Sequence, residues 1–432
     1  MTDTISSKDR LYDCFIKLID CFQSNDMPVV LLRPKKFGKY ESFEGDYDFL
    51  YRRDSIQKII SVIHALCKDE GVHFEVNQKA MAKCLITLFV EENTDCIIME
   101  FWPHIELKSG KNELASHISS EAIFNSKLIE GNRPALLCLI YITHLYHKNK
   151  DIFTEENVWR FNEYRCSLEE TRDKRQEIST QCVELLNKLQ EGQISLNEAN
   201  KSVLRLLKDR GIRNEMKSVV YIQTFLKRVF RKLKFSTKRI IPMIGPDGSG
   251  KGTIQLKALE LGKSTFEVFR FKMLFRVFPF YNIRYRFFKN FKSTPANKMD
   301  ESMLHYIFWV SLFSFLFFLI RERSKHIVMD RYFTDYFASP LRYLTNTKKI
   351  NRIIFYRFYL FLIPTPKKCI VLGCKDESLF QRKNELESEA VRELEWLTYD
   401  FICKKRVQSV LFLSTERPSE ETALILNSFL ET

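Results

Sequence analysis

The chain has 432 residues, of which 45% are hydrophobic and 28% are charged. This composition excludes a disordered chain, and the length accommodates two or three domains. The net charge of +14 favours anionic partners such as nucleotides, phosphorylated substrates or an acidic membrane face, although a merely soluble basic protein also fits. The eleven cysteines lack metal-like spacing and no apolar signal segment opens the chain, so we expect reduced thiols and a cytoplasmic protein.

The first 150 residues predict an α+β domain. An amphipathic helix at 9–26 opens this region, and a strongly apolar helix at 133–151 closes it. Between the two helices lie five strand candidates, at 28–34, 45–53, 73–76, 84–90 and 96–102. Strands that cluster between flanking helices are typical of an α+β fold.

Two of these strands carry carboxylates that favour metal-dependent chemistry. Asp46 and Asp48 are two residues apart and project from one face of a strand, while Glu100 lies on another strand. Three converging carboxylates would hold the two magnesium ions that nucleotidyl transfer needs. The pattern resembles the nucleotidyltransferase superfamily, whose hallmark is a Gly-Ser turn followed by D-x-D and a third carboxylate. No Gly-Ser turn precedes the pair here, so the alternative is a domain that binds substrate or only packs.

Residues 151–236 predict a helical connector. Ser167 with Glu170, and Ser195 with Glu198, both match the S-x-x-E capping box that marks a helix start. The connector runs into a basic stretch with Phe and Leu at helical spacing, at 225–239.

The stretch "GPDGSGKGT" at 245–253 predicts a phosphate-binding loop, because an apolar strand at 239–245 leads into it and a helix follows. Successive backbone N–H groups of such a loop point onto phosphate oxygens, and Lys251 would reach the β- and γ-phosphates. The residue after the lysine is Gly252 rather than Ser or Thr, and Thr253 comes next. This "GKGT" form is similar to nucleoside monophosphate kinases of the adenylate kinase type. The residues predicted to bind ATP are Gly245, Gly248, Ser249, Gly250, Lys251, Gly252 and Thr253.

A second constellation follows the strand candidate at 325–330, which ends in Asp330 and Arg331. Ligands of an open parallel sheet bind beyond the carboxyl ends of its strands, so Asp330 is placed to hold magnesium-bound water and Arg331 to fork onto a phosphate. A purely structural Asp–Arg pair is the alternative. Asp247, inside the loop, would face a hydroxyl group of the acceptor, or it serves only the Pro-Asp-Gly turn.

The loop and "DRY" at 330–332 together resemble the thymidylate kinase family. The patterns "DRY…D…P.RY" at 330–343 and "RK.E…Y" at 382–399 are similar to relatives of that family from bacterial surface-polysaccharide loci. The resemblance covers about 238–432 and implies a P-loop kinase fold, with a parallel sheet flanked by helices, that uses ATP with magnesium. It implies transfer of the γ-phosphoryl group to a nucleoside monophosphate or a related phosphorylated or sugar acceptor.

The resemblance also implies roles for individual residues. The implied catalytic residues are Lys251, Asp330, Arg331 and Arg382. The implied acceptor-binding residues are Asp247, Arg331, Asp335, Arg342 and Lys383, and Thr253 and Asp330 would serve magnesium. Arg382 and Lys383 would belong to a lid that closes over the phosphates and excludes water. A solvated helix face is the alternative, because three glutamates follow closely.

Two segments depart from the thymidylate kinase pattern. The "REPGG" type of segment that holds the acceptor is missing, and a basic, Phe-rich stretch occupies 268–292. That stretch suits an acidic membrane face, a bulky anionic acceptor, or a helix that packs its Phe face. The uncharged run at 303–320 is short for a membrane span, and one crossing would separate two strands of one sheet, which favours a buried or dimer-interface helix.

The leading hypothesis is therefore a cytoplasmic P-loop kinase with a nucleotidyltransferase-like N-terminal domain at 1–150, a connector at 151–236 and the kinase domain at 237–432. In the second hypothesis the N-terminal carboxylates carry out nucleotidyl transfer and the P-loop domain is regulatory. In the third, the protein is a nucleotide-binding adaptor at the inner face of a membrane. We expect no specific nucleic acid partner, and a homodimer is left as an alternative.

Overall fold

The structure is a computed structural model that describes residues 6–24, 27–32, 46–78, 83–91, 95–107, 116–124, 129–148, 150–170, 177–209, 215–216, 236–237, 239–262, 266–269, 301–321, 326–334, 357–382 and 388–431. Its strands are β1 (Val29–Leu31), β2 (Tyr47–Tyr51), β3 (His73–Gln78), β4 (Cys84–Phe89), β5 (Cys96–Trp102), β6 (His104–Leu107), β7 (Ser116–Ser119), β8 (Glu215–Met216), β9 (Ser236–Thr237), β10 (Ile240–Ile244), β11 (Phe266–Phe269), β12 (His326–Met329), β13 (Thr365–Pro366), β14 (Lys368–Gly373) and β15 (Ser409–Ser414). Its helices are α1 (Ser7–Ser24), α2 (Ile56–Glu70), α3 (Ser120–Phe124), α4 (Ile129–Lys148), α5 (Glu155–Glu170), α6 (Glu177–Gln190), α7 (Leu196–Asp209), α8 (Lys251–Glu260), α9 (Glu301–Arg321), α10 (Asp376–Arg382), α11 (Ser388–Lys405) and α12 (Ser419–Glu431).

Five parallel strands form the C-terminal half of the main sheet, in the order β11-β12-β10-β14-β15. Strand β10 comes first in the chain and lies in the middle. The chain then adds β11 and β12 on one side of β10, and β14 and β15 on the other. All five residues of β10 are buried, as expected for a central strand that is covered on both faces. In such sheets the ligand crevice lies where the strand order reverses, which here is beside the end of β10.

The two faces of this parallel sheet contribute to different hydrophobic clusters. Ile240 and Ile244 of β10 belong to a cluster shared with buried residues of α9 and α11. Ile241 and Met243 point the other way and pack with buried residues of α8 and α12. This alternation places helices on both faces, which is the arrangement of an α/β fold.

The N-terminal half adds five strands in the order β1-β2-β5-β4-β3. The β2–β5 pair is parallel, and the other three pairs are antiparallel. Tyr47, Phe49 and Tyr51 of β2 pack against buried residues of α1 and α2, while Asp48 and Leu50 face the opposite side of the sheet. The sequence predicts an α+β domain at 1–150, and the structure shows both helices and strands in this region.

The two halves form one ten-stranded sheet, because β3 pairs antiparallel with β15. Across this junction the rings of Phe74 and Phe412 stack with their centroids 4.2 Å apart. One hydrophobic cluster contains buried residues from both halves. The regions predicted as domains at 1–150 and 237–432 therefore share a sheet and a core.

A separate hydrophobic cluster joins α4 to the connector helices α5, α6 and α7. The capping box at the start of α7 is present, with the Ser195 N–H donating to the Glu198 carboxylate at 2.8 Å and the Glu198 N–H donating to Ser195 Oγ at 3.3 Å. The second predicted helix start, at Ser167, is wrong: Ser167 lies inside α5, which ends at Glu170. The apolar helix predicted at 133–151 corresponds to α4.

The apolar run at 303–320 lies within α9. Leu312, Phe315 and Phe318 are buried in the core, whereas Phe313 and Phe317 are exposed on the opposite side of the helix. Among the helices that the structure describes, none is long and apolar enough to cross a membrane. The basic, Phe-rich stretch lies outside the described residues from 270 onward, and 268–269 end strand β11.

Candidate functional site

The predicted glycine loop connects β10 to α8 and lies at the carboxyl edge of the parallel sheet. Gly248 and Gly250 have φ angles of 90° and 82°, which side chains other than glycine rarely adopt, and Gly250 directly precedes the first residue of α8. At Gly245 a Cβ atom would lie 2.8 Å from the Leu372 carbonyl oxygen and 2.9 Å from Ser249 Oγ. The glycines are therefore needed for the turn itself and for its close contact with β14.

The polar groups of the loop suit an anion. Lys251 Nζ donates hydrogen bonds to the carbonyl oxygens of Gly245 and Pro246, the second at 2.8 Å, so its charge lies over the loop. Ser249 is fully buried, and within the described part of the chain its Oγ has no hydrogen-bond partner. The first N–H groups of α8 add the positive end of the helix dipole. A cradle of this kind binds phosphate oxygens.

Asp330 and Arg331 follow β12, the direct neighbour of β10, so the structure places them beside the loop. The Asp330 N–H donates to the Phe269 carbonyl oxygen at 3.2 Å, which ties this corner to β11. Arg331 Nη2 donates to Asp247 Oδ1 at 2.5 Å, and both side chains are partly exposed. Two residues that the sequence assigns to the acceptor therefore form an ion pair at the mouth of the loop.

Arg382 is the last residue of α10, and its guanidinium lies 3.5 Å from Thr415 Oγ1, just beyond the end of β15. This position is also at the carboxyl edge of the sheet. The other predicted acceptor residues, Asp335, Arg342 and Lys383, lie outside the described residues.

Tyr399, which matches the "RK.E…Y" pattern, contacts α2 of the N-terminal half. It is buried in α11, and its hydroxyl group shares a 2.6 Å hydrogen bond with Nδ1 of His64 in α2. Burial raises the pKa of this tyrosine. Its observed contacts are with the N-terminal half rather than with the loop.

The residues present fit a nucleotide polyphosphate. The buried Ser249 hydroxyl and the close approach at Gly245 show a cradle formed by backbone groups, and Lys251 supplies a cation. The side-chain oxygens that the sequence motifs assign to magnesium are those of Asp330 and the exposed Thr253. The described residues contain no group of three or more His, Cys, Asp or Glu side chains that could hold a metal ion. Magnesium at this site would depend on phosphate oxygens and water, as is common for this ion.

The three N-terminal carboxylates, Asp46, Asp48 and Glu100, line one cavity of about 340 Å³. Two of these carboxylates accept hydrogen bonds from neighbouring side chains. Trp102 Nε1 donates to Asp48 Oδ1 at 3.0 Å, and Lys83 Nζ lies 2.5 Å from Glu100 Oε2. This arrangement differs from the set of bare carboxylates that a two-metal site needs.

Lys68 and His64 of α2 make contacts with the C-terminal half that the sequence did not predict. Lys68 Nζ lies 3.0 Å from Asp376 of α10 and 3.4 Å from Glu395 of α11. Burial works to lower the pKa of Lys68, but the charges of Glu395 and Asp376 outweigh it and raise the pKa. His64 could have been noticed, because it follows Ile60 and precedes Cys67 on the apolar face of an amphipathic helix. Its hydrogen-bond partner Tyr399 is more than 300 residues away, so that contact leaves no local signal in the sequence.

The central strand, the glycine loop after it and the helix that follows form the strand–loop–helix unit of the P-loop class of α/β folds. The described part of this half is consistent with the P-loop kinase fold predicted from the sequence.

Neither a family model nor a curated protein matches the chain. Among solved structures, the chain matches deoxyadenosine kinase from M. mycoides with bound dATP at 19% identity and a TM-score of 0.28, and the same kinase with bound dCTP at 17% identity and a TM-score of 0.27. Each match covers 45% of this chain and all of the kinase chain. Similarity at these TM-scores carries no argument about activity, so the proposals below depend on the residues of this chain.

Proposed function

We propose that the protein is an ATP-dependent phosphotransferase that moves the γ-phosphoryl group onto a nucleoside monophosphate or a related phosphorylated or sugar acceptor. The observation that carries the proposal is the glycine loop at the end of the central strand, with Lys251 over it and Asp330 and Arg331 at the end of the next strand. Arg331, whose guanidinium pairs with Asp247 beside the loop, adds a cation that can bind the phosphate of an acceptor.

The donor side of the proposal is supported by the anion cradle. The backbone N–H groups of the loop and of the first turn of α8 bind the phosphate oxygens, and Lys251 turns from the loop carbonyls onto the β- and γ-phosphates. Bound magnesium neutralises phosphate charge, and Asp330 and Thr253 are the residues that would hold it through water.

The acceptor side is supported by the pair of Asp247 and Arg331. As it stands, the carboxylate compensates the charge of the guanidinium at the mouth of the loop. An acceptor phosphate would bind the Arg331 guanidinium through two hydrogen bonds and replace Asp247 as its partner. The Asp247 carboxylate could then accept a hydrogen bond from a hydroxyl group of the acceptor. Arg382, at the same edge of the sheet, supplies further positive charge for the transferring phosphoryl group.

Substitution of Lys251 tests the proposal. ADP formation from ATP and magnesium is measured against nucleosides, nucleoside monophosphates and sugar phosphates. The wild-type protein should form ADP in an acceptor-dependent manner, and Lys251→Ala should lower kcat/KM by about 100-fold or more, because one preorganised cationic contact to the reacting phosphates contributes roughly 3 kcal/mol.

Lys257→Ala is the matched control, because Lys257 lies on the same helix and forms surface ion pairs with the exposed Glu260 and Glu420. It should keep activity within about twofold of wild type, as expected for loss of a surface pair. The proposal fails if Lys251→Ala and Lys257→Ala have equal activity, or if no acceptor in the panel raises ADP formation.

A further inference from the structure

A cavity of about 340 Å³ lies between the N-terminal part of the sheet and α4, apart from the glycine loop. Its volume is at the lower end of the range for small-molecule sites, which suits a single ring with one substituent. Its wall combines carboxylates, lysines, histidines and aromatic rings. The polar and charged lining residues and the aromatic ones are Asp46, Asp48, Glu100, Trp102, His104, Tyr141, His144, Lys148 and Lys150.

The sheet supplies the acidic side of the wall. Asp48 and Glu100 are direct partners in the parallel β2–β5 pair, so their side chains point to the same face. Phe49 and Phe101, the next residues of the two strands, point to the other face and stack in the core at 5.0 Å. The aromatic core therefore fixes which way the two carboxylates point.

Helix α4 supplies the opposite side. Tyr141, His144 and Lys148 are spaced three and four residues apart, so they share one face of the helix. Lys148 is the last residue of α4 and Lys150 follows it, and both lysine side chains are exposed. The cavity thus has two cations on its helical side and carboxylates on its strand side.

The carboxylates are held in place by neighbours. Trp102 Nε1 donates to Asp48 Oδ1 at 3.0 Å. The Lys83 ammonium lies 3.9 Å from the centre of the Trp102 ring and forms an ion pair with Glu100. An ionised carboxylate accepts several hydrogen bonds, so a carboxylate that already accepts one keeps acceptor capacity for a ligand. Preorganised acceptors of this kind suit hydroxyl groups, which donate.

We propose that this cavity binds a monosaccharide that carries one anionic substituent, a phosphate or a carboxylate. The ring hydroxyls donate to Asp46, Asp48 and Glu100, and the C–H groups of the ring pack on the aromatic surface of Trp102. The anionic substituent pairs with Lys148 and Lys150. The site is separate from the proposed phosphotransferase site and does not depend on it.

Binding of four probes by isothermal titration calorimetry tests the proposal. Glucose 1-phosphate and glucuronate distinguish the two kinds of anionic substituent, and glucose and inorganic phosphate represent the two parts of the ligand. At least one of the first two should bind, and at least tenfold more tightly than either part alone. If neither binds, or if inorganic phosphate binds equally well, the proposal is wrong. Binding of ATP with magnesium that Asp46→Asn abolishes would also overturn it.

Exposed residues of the wall allow substitution without disturbing the core. Asp46→Asn and the double variant Lys148→Ala/Lys150→Ala should each weaken the binding at least tenfold. Lys208→Ala, an exposed lysine of α7, is the control and should bind like wild type. Lys251→Ala should also bind the sugar normally, so failure of the phosphotransferase proposal would leave this result unchanged. Equal binding by all variants would contradict the proposed site.

Discussion

At the scale of single residues, two glycines of the loop have opposite surroundings. A Cβ atom at Gly245 would come within 2.8 Å of a backbone oxygen of β14, which cannot move without disturbing the sheet. A Cβ atom at Gly252 would meet nothing within 4 Å, and Gly252 lies inside α8 without a positive φ angle. Glycine is therefore required for steric reasons at Gly245 but not at Gly252, although both belong to the loop motif.

We predict that Gly245→Ala lowers the free energy of unfolding by about 1–3 kcal/mol, as is typical for overpacking in a rigid core. Gly252→Ala should leave stability unchanged or raise it by up to about 1 kcal/mol, because alanine has the higher helix propensity. Urea denaturation of both variants measures the difference. Equal stability of the two would show that the loop is not packed against β14 as described.

At the scale of elements, α2 of the N-terminal half forms ion pairs with two helices of the C-terminal half. Lys68 contacts Asp376 at the start of α10 and Glu395 in α11. Helix α10 ends at Arg382, which was predicted to belong to a lid together with Lys383. The Lys68 side chain is only 11% exposed, so removal of its charge would leave Glu395 half-buried without its cation. Loss of one partner from such a half-buried pair destabilises a protein more than loss of a surface ion pair does.

We predict that Lys68→Met lowers the free energy of unfolding by about 2 kcal/mol, the cost of leaving a buried charged group unpaired. Lys58→Met changes an exposed lysine of the same helix and should stay within about 0.5 kcal/mol of wild type. Chemical denaturation checks both. A loss in Lys68→Met no larger than that in Lys58→Met would mean that the ion pairs contribute nothing.

The elements also show which parts of the fold can be predicted from sequence. The strand candidates at 239–245 and 325–330 correspond to β10 and β12, because central parallel strands are continuous apolar runs. Strand β11 was missed because it is four residues long and adjoins a basic, Phe-rich stretch. Helix α2 was also missed, although its apolar face repeats at helical spacing.

The candidate site was predictable only in part, for a similar reason. The loop and the charged corner after β12 lie within continuous motifs, and parallel strand order brings their ends together. The cavity is lined jointly by residues of α4, β2 and β5, and the β3–β15 pairing joins segments about 330 residues apart. Contacts at that separation leave no periodic pattern in a single sequence.

At the scale of the whole molecule, two buried histidines lie at the junction of the halves. His64 contacts Tyr399 of α11, and His73 Nδ1 accepts a hydrogen bond from the Ser414 N–H at the end of β15. Burial lowers the pKa of both histidines to about 3, with a smaller effect from a nearby cation in each case. Both histidines are therefore neutral in the folded protein at any pH near neutrality.

We predict that acid weakens the folded state through this junction. Below about pH 6.5 the unfolded chain binds protons at these two histidines while the folded chain does not, so stability falls as pH decreases. At pH 5 the loss amounts to about 2 kcal/mol for each histidine. The free energy of unfolding between pH 7.5 and 5 should fall less steeply in His64→Gln/His73→Gln than in wild type. Parallel pH profiles would exclude these histidines as the cause.

The central claim is that the glycine loop binds the phosphates of ATP, and its most direct test is the affinity for ATP with magnesium in the absence of any acceptor. Isothermal titration calorimetry should show that Lys251→Ala binds at least tenfold more weakly than wild type, while Lys257→Ala binds within about twofold of wild type. A wild-type protein that does not bind ATP, or a Lys251→Ala variant that binds it with unchanged affinity, would contradict the account.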